Sequence, residues 1–409
     1  MVPKGWRKDH LSSVATIIDC KHRTPAYIET GVPLISPGTI KWGALDLITP
    51  VKRVSKDEYE SLMDHCIVDI GDLVMSRNQS VGIASYVDTD EPFVLGQDTV
   101  LIKPNKADSK FVFYKLQSNN VQRDIIKLAG GSTFSRINLA DIRKLEIKLP
   151  PIVEQKKIAK ILSTWDRAIS VTKKLLTNSK QQKKALMQQL LTGKKRLLDE
   201  NGVRFSGEWI HGQLGDLCAF KGGFAFKEVY QGQSMGELPF IKVSDMNLLG
   251  NERSIEYSNN WVSFETAIQM KAKPFPESSI VFAKVGAALL LNRRRILSRP
   301  TIIDNNMMAA VPSNSADTEF LYQLLMVIDF ARFVQEGAVP SINQGDLSSF
   351  KLSYPDVEEQ KKIASVLSAA DAEISTLEKK LTCLKDEKKA LMQQLLTGKR
   401  RVTVGADSV

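Results

Sequence analysis

Short polar loops along this chain carry the side chains that hydrogen-bond base edges and phosphates. In residues 1–150 these are Lys21, His22, Arg23 and Thr24, then Thr39 and Lys41, then Arg77, Asn78, Gln79 and Ser80, then Gln97, Thr133, Ser135 and Arg136. In residues 203–355 they are Lys221, Lys227, Lys242, Ser244, Lys284, Arg293, Arg294, Arg295, Asn305, Asn306, Ser341, Asn343 and Gln344. Phe224 adds an aromatic ring beside Gly222 and Gly223. Arg and Lys suit guanine, Asn and Gln suit adenine, and hydroxyls or backbone amides suit phosphate. Taken singly, each reads as a solvated loop side chain; the signal lies in the set.

No constellation for catalysis accompanies them. The chain has neither Asp-Pro-Pro-Tyr nor Asn-Pro-Pro-Tyr for methylating a flipped base, and Leu149-Pro-Pro-Ile152 only begins a helix. Thr192-Gly-Lys-Lys195 lacks the upstream glycine and the following Ser or Thr of a phosphate loop. Pro355-Asp356 with Glu359-Gln-Lys361 imitates a nuclease motif, but its spacing is too tight and it opens a helix. Cys20, His22, His65 and Cys66 are enough residues for a zinc site, yet the adjacent His65-Cys66 pair suits a tetrahedral site poorly. No metal site and no catalytic residue is therefore expected.

Composition agrees with a nucleic-acid partner. The 409 residues carry a formal net charge of +10, which favours a polyanion. That length implies more than one core. The four cysteines, Cys20, Cys66, Cys218 and Cys383, form no Cys-x-x-Cys pair, as in a reducing compartment. No apolar run is long enough to span a membrane and the N-terminus lacks a signal-peptide core, so a cytoplasmic protein is expected.

The elements that must position these loops announce themselves by repetition. Glu154-Gln-Lys-Lys-Ile-Ala to Lys183-Lys-Ala-Leu-Met-Gln-Gln-Leu-Leu-Thr-Gly-Lys194 recurs as Glu359-Gln-Lys-Lys-Ile-Ala to Lys388-Lys-Ala-Leu-Met-Gln-Gln-Leu-Leu-Thr-Gly-Lys399. Positions 363, 367, 370, 374, 377, 381, 384, 388, 391 and 395 alternate steps of four and three, and all but Lys388 are apolar. That spacing is a coiled-coil seam. In the first copy Thr172 and Ser179 weaken the seam and Lys183 sits on it; outward snorkelling is expected for both seam lysines. Prolines precede each helix, and Gly193 and Gly398 stand where left-handed C-caps are expected. The matched Gln188, Gln189, Gln393 and Gln394 exceed what seam packing needs, which points to a surface shared by two copies of one partner.

The chain therefore divides into a block at 1–150, a helix at 151–197, a second block at 203–355 and a helix at 356–400. The blocks mix short apolar runs such as Asp72-Leu-Val-Met-Ser, Thr99-Val-Leu-Ile-Lys and Ser279-Ile-Val-Phe-Ala with late helical stretches at 111–126 and 319–335. Faint echoes suggest one α/β (α+β) fold twice: Pro33-Leu-Ile35 with Pro239-Phe-Ile241, and Ile137-Asn138 with Ile342-Asn343.

Two variable blocks, each followed by a near-duplicate helix with Glu-Gln-Lys-Lys-Ile-Ala, resemble the specificity subunit of type I restriction–modification systems. Asp19-Cys-Lys-His-Arg-Thr-Pro25 and Gly222-Gly-Phe-Ala-Phe226 look like loops of its target recognition domains. The resemblance covers the whole chain. It implies two target recognition domains joined by an antiparallel coiled coil, a pseudo-two-fold repeat in which each domain reads half of a split DNA site. It further implies two methyltransferase subunits and motor–nuclease subunits as partners, with AdoMet, ATP and Mg bound by them and no cofactor in this chain. Two other classes stay open on the residues alone: a coiled-coil adaptor with protein-binding heads, and a divergent catalytic DNA methyltransferase or nuclease.

Overall fold

Thr99-Val-Leu-Ile-Lys-Pro104 is buried from Thr99 to Ile102, so this strand must lie inside a sheet covered on both faces. The computed structural model describes residues 2–49, 52–130, 135–335 and 339–403. It divides into two compact units, one of residues 1–173 with 379–409 and one of residues 174–378.

In the first unit the chain runs through β1 (Arg7–His10), β2 (Ala15–Asp19), β3 (Val32–Ile35), β4 (Gly43–Ala44) and β5 (Arg53–Val54). There follow α1 (Lys56–Met63), β6 (Leu73–Ser76), β7 (Ala84–Tyr86), β8 (Val94–Leu95) and β9 (Thr99–Pro104). Then come α2 (Ser109–Leu116), α3 (Asn119–Leu128), α4 (Leu139–Arg143), β10 (Glu146–Leu149) and the start of α5 (Ile152–Leu190). A five-stranded sheet has the order β2-β9-β6-β7-β4, a three-stranded sheet β5-β3-β8, and β1 pairs with β10. Alternation along the central strands builds a core on each face: Leu73, Met75, Val100 and Ile102 join one cluster, Val74 and Leu101 the other. The first cluster also takes Phe111 from α2, Ile158 and Leu162 from α5, and Leu395 and Leu396.

The second unit repeats this. It contains β11 (Ile210–Gln213), α6 (Leu214–Leu217), β12 (Cys218–Gly222), β13 (Leu238–Ile241), β14 (Ser254–Ile255), β15 (Trp261–Val262) and α7 (Phe264–Gln269). It continues with β16 (Ile280–Ala283), α8 (Ala287–Leu290), β17 (Arg295–Leu297), β18 (Ile302–Ile303), β19 (Met307–Pro312) and α9 (Thr318–Val327). It closes with α10 (Gln344–Ser348), β20 (Lys351–Tyr354) and the start of α11 (Val357–Leu395). The orders β12-β19-β16-β17-β14, β15-β13-β18 and β11-β20 match the first unit strand for strand. The expected two-fold repeat of one mixed α and β fold is thus present. The expected long late helices are shorter: Gln117 and Ser118 separate α2 from α3, and after α9 Asp329 caps a 3-10 turn over Phe330–Phe333.

The repeated helix-start motif is explained inside each unit. Gln155 accepts from the Asp108 amide at 3.0 Å and donates to the Pro150 carbonyl at 2.8 Å. Gln360 does the same with Asp317 at 2.9 Å and Pro355 at 2.9 Å. Asp108 and Asp317 in turn cap α2 and α9. Asp356 accepts from the Glu359 amide at 2.9 Å, so the acid of the nuclease-like spelling is a helix cap.

Within each unit the segments of α5 and α11 run antiparallel. In the first, Glu154 meets Arg401 while Asp166 meets Lys388; in the second, Lys183 meets Asp371 while Glu359 meets Arg196. Seam positions 363, 367, 381 and 395 are buried and the rest of that seam is half-buried. The seam lysines do not simply snorkel. Lys183 reaches Asp371 and Lys388 reaches Asp166, each at 2.6 Å, because the antiparallel neighbour brings a carboxylate within range. Thr172 and Ser179 are buried in the seam, and Ser179 donates to Glu373 at 3.0 Å. Gly193 and Gly398 have φ of 69° and 71°, the left-handed caps expected.

Candidate nucleic-acid interface

Strands β2, β6 and β9 meet at one end of the first unit's large sheet, where Asp19 lies opposite Val100 and Ser76 opposite Thr99. The loops leaving that end are pinned to one another by the backbone. Arg77 donates its amide to the Asp98 carbonyl at 2.8 Å and accepts from the Ile137 amide at 3.0 Å. Side chains extend the network: Asn78 to Asp98 at 3.3 Å, Arg136 to Asp98 at 2.8 Å, Gln97 to Thr24 at 3.3 Å. Ser80 donates to the Pro37 carbonyl at 2.8 Å, which draws in the turn holding Thr39. The fold thus gathers His22, Thr24, Thr39, Asn78, Gln79, Ser80, Gln97, Ser135 and Arg136 at one sheet end, although they are far apart in sequence. Lys41 is exposed and held beside β7 through Ser85. Thr133 lies outside the described residues.

Several cations in this unit are engaged internally. Arg77 is 5% exposed; its guanidinium sits 2.5 Å from Asp19 and donates to the Ile137 carbonyl, so it acts as a brace rather than a reader. Burial alone would raise the Asp19 carboxyl, but Arg77 and His22 hold it below the usual carboxylate range. Lys21 bonds Asp64 at 2.7 Å and Arg23 bonds Glu58, both acids lying on or just beyond α1. The sequence singled out the cations and missed these carboxylates, since nothing local marks a distant acid as a counter-ion. Asp19, Cys20 and His22 form the one cluster with metal-ligand spacing among the described residues. Arg77 occupies the Asp19 carboxylate, and burial pushes the Cys20 thiol up, so the donor set suits a metal poorly.

The second unit builds the same end from β12, β16 and β19. Lys284 donates its amide to the Asn306 carbonyl at 2.9 Å and accepts from the Ile342 amide at 3.1 Å. Asn343 caps α10, and Gln344, with its amide turned to suit its neighbours, bonds the Phe220 carbonyl at 3.2 Å and the Gly222 amide at 3.0 Å. Lys221, Lys227, Ser244, Asn305 and Asn306 are exposed, while Lys242 is half-buried and donates to Gln231 at 2.7 Å. Val285 bridges to Ser341.

Three assignments change here. Phe224 packs its ring between two core clusters and tilts against Phe275, so it is not an open stacking platform. Arg294 is fully buried over the Phe330 ring at 3.8 Å and donates to the Ile328 carbonyl at 2.7 Å; burial pushes its guanidinium down to about 10. Arg295 spans the Met246 and Arg294 carbonyls. Of that triplet only Arg293 is exposed, and it reaches Asn247.

The repeated helix ends add a second kind of surface. Gln188, Gln189, Gln393 and Gln394 are all exposed. Gln188 and Gln189 line a groove of about 630 Å³ with Leu324 and Val327 in the second unit. In the first, Gln393 lines one of about 910 Å³ with Trp42, Lys385 and Lys389.

The sequence profile of the "Type I restriction modification DNA specificity domain" matches residues 3–179 and again 206–385. The chain belongs to that family. A type I restriction–modification specificity chain recognises DNA and is the non-catalytic component of its system. Among relatives, this chain is 28% identical over 427 residues to a Methanocaldococcus jannaschii protein named as the MjaX type I restriction enzyme specificity subunit, covering 98% of this chain and 95% of that one. It is 23% identical over 279 residues to the EcoR124I/EcoR124II specificity subunit of Escherichia coli, covering 65% and 64%. The fold resembles the crystal structure of the type I S subunit from M. genitalium with a TM-score of 0.61 and 18% identity, over 98% of this chain and 97% of that one. A second neighbour, from a study of complex assembly and conformational transition of the type I system, gives a TM-score of 0.56 at 15% identity over 98% and 100%. No helix among the described residues is long and apolar enough to cross a membrane.

Proposed function

We propose that this specificity chain reads a bipartite DNA site, one half with each unit, at the loop-bearing end of each five-stranded sheet. One observation carries the reading: the two units hold different side chains on one backbone frame. Arg77–Asp98–Ile137 in the first corresponds bond for bond to Lys284–Asn306–Ile342 in the second. A rigid frame with divergent loops is how one fold reads two sequences. The exposed polar side chains at each end would contact base edges and phosphates. A net charge of +10 supports the electrostatic part of that binding.

In this reading two methyltransferase subunits dock on the repeated helix ends at Gln188, Gln189, Gln393 and Gln394, and motor–nuclease subunits complete the complex. AdoMet, ATP and Mg bind those partners, none binds this chain, and the assembly works in the cytoplasm. The partners must extrude adenines to reach N6, and this chain places them.

Co-expression with the methyltransferase subunit followed by a genome-wide map of N6-methyladenine tests this. A split motif with a fixed gap, lost when the chain is omitted, is expected. Methylation that is contiguous or independent of the chain would overturn the proposal.

A further inference from the structure

Asp19 and Gly222 occupy the same place in the two large sheets. Asp19 is the last residue of β2 and faces Val100; Gly222 is the last of β12 and faces Met308. Arg77 and Lys284 are likewise equivalent, each the first residue beyond the middle strand of its sheet, β6 or β16. Both also make the same pair of backbone hydrogen bonds described above. The sequence distance between the acid and the base differs in the two blocks, so only the sheet register pairs these four residues.

What differs is charge. In the first unit Arg77 lies against the Asp19 carboxylate and is almost wholly buried. In the second unit the acid is replaced by glycine. A Cβ built on Gly222 would lie 3.3 Å from Lys284 Nζ, so the ammonium stands where a side-chain carboxylate at 222 would meet it. Lys284 is half-buried, and among the described residues its Nζ has no hydrogen-bond or ion-pair partner. A second exchange reinforces the first. Asp98, which holds Arg136 in the first unit, is Asn306 in the second, and Arg136 is Ser341. Asp304, two residues before Asn306, accepts from the Asn306 backbone and side-chain amides.

A half-buried ammonium without a counter-ion at an open sheet end attracts an anionic or electron-rich oxygen. We propose that Lys284 is a direct DNA contact of the second unit with no equivalent in the first, where Asp19 already neutralises the homologous cation. This rests on the reading of each unit as a half-site reader and adds to it a difference in how the halves are gripped. The ligand atom is either a phosphate oxygen or the O6/N7 edge of guanine, both of which a lysine ammonium can engage.

The test uses the full chain assembled with its methyltransferase subunits and a labelled duplex bearing the methylation motif, titrated over a range of salt. Lys284→Met is expected to weaken binding about tenfold. Gly222→Asp, which leaves the lysine but supplies a counter-ion, is expected to weaken it similarly; the neighbouring atoms at 222 are flexible side-chain ends. Lys284→Arg should retain binding. A salt slope shallower by about one unit identifies a phosphate contact, whereas an unchanged slope with relaxed choice at one base pair of the second half-site identifies guanine. Binding by Lys284→Met equal to that of the unaltered chain, or by Gly222→Asp if the first variant does not fold, would overturn the proposal. Failure of the unaltered complex to bind the duplex would instead remove the half-site reading, and this proposal with it.

Discussion

Glu359 and Arg196 form a two-point ion pair, Nε to Oε1 and Nη2 to Oε2 both 2.6 Å. Glu154 and Arg401 repeat it in the other unit, with both bonds at 2.7 Å. The glutamates open one repeated helix and the arginines follow the exit of the other, so each unit is closed by the chain's own repeat. Both carboxylates are buried. Removing one partner of a buried pair leaves an uncompensated charge. Glu359→Gln is therefore expected to destabilise the chain by about 3 kcal/mol. Glu358→Gln, whose lysine pair is exposed, should change thermal unfolding little.

Gly398 is the tighter of the two helix caps. Its φ is +71°, and an added Cβ would come within 2.4 Å of Pro3 Cγ, whereas at Gly193 the nearest atom is a Trp209 ring carbon at 3.2 Å. Either Gly→Ala change forces a left-handed residue, at about 1–2 kcal/mol. Gly398→Ala should lower the melting temperature more than Gly193→Ala, since it also displaces Pro3.

Asp19 gives a pH signature. Its folded carboxyl titrates below the ordinary 3.8, so its contribution is present above that value and is lost as the pH falls through the folded pKa. Asp19→Asn should destabilise by about 1.5–3 kcal/mol near neutrality, as for a hydrogen bond to a charged group. The gap between variant and parent should close on acidification below pH 3.8. A gap that persisted unchanged would rule out the Arg77 pair as its source.

Lys115 titrates at the other end of the scale. Burial pushes its ammonium from 10.5 down to about 8, while it donates to the Leu396 carbonyl at 2.7 Å. The unfolded chain then binds more protons than the folded one between roughly pH 8 and 10.5, so this group makes stability rise with pH across that window. Lys115→Leu should flatten that rise when urea unfolding is compared at either end of the window.

Exchanging residues 1–143 for a homologous block should alter one half of the methylated motif and leave the other intact. A change in both halves would contradict separate reading by the two units.

The repeat, the seam, the left-handed glycines and the short apolar strands were legible along the chain because periodicity and capping act within a few residues. Thr172, Ser179 and the seam lysines were visible as exceptions, but their partners were not. Whether Lys183 snorkels or pairs depends on Asp371, brought close by an antiparallel neighbour. The polar loops were also legible, as residue types. Which of them face solvent was decided only in three dimensions: Arg77 turns inward to an aspartate 58 residues away, and Arg294 to a carbonyl 34 residues away. A charge is held or left open by neighbours that the sheet register supplies, and register is a property of strands far apart in sequence. The same register places Lys284 over a glycine and Arg77 over an acid, a contrast that no stretch of either block contains by itself.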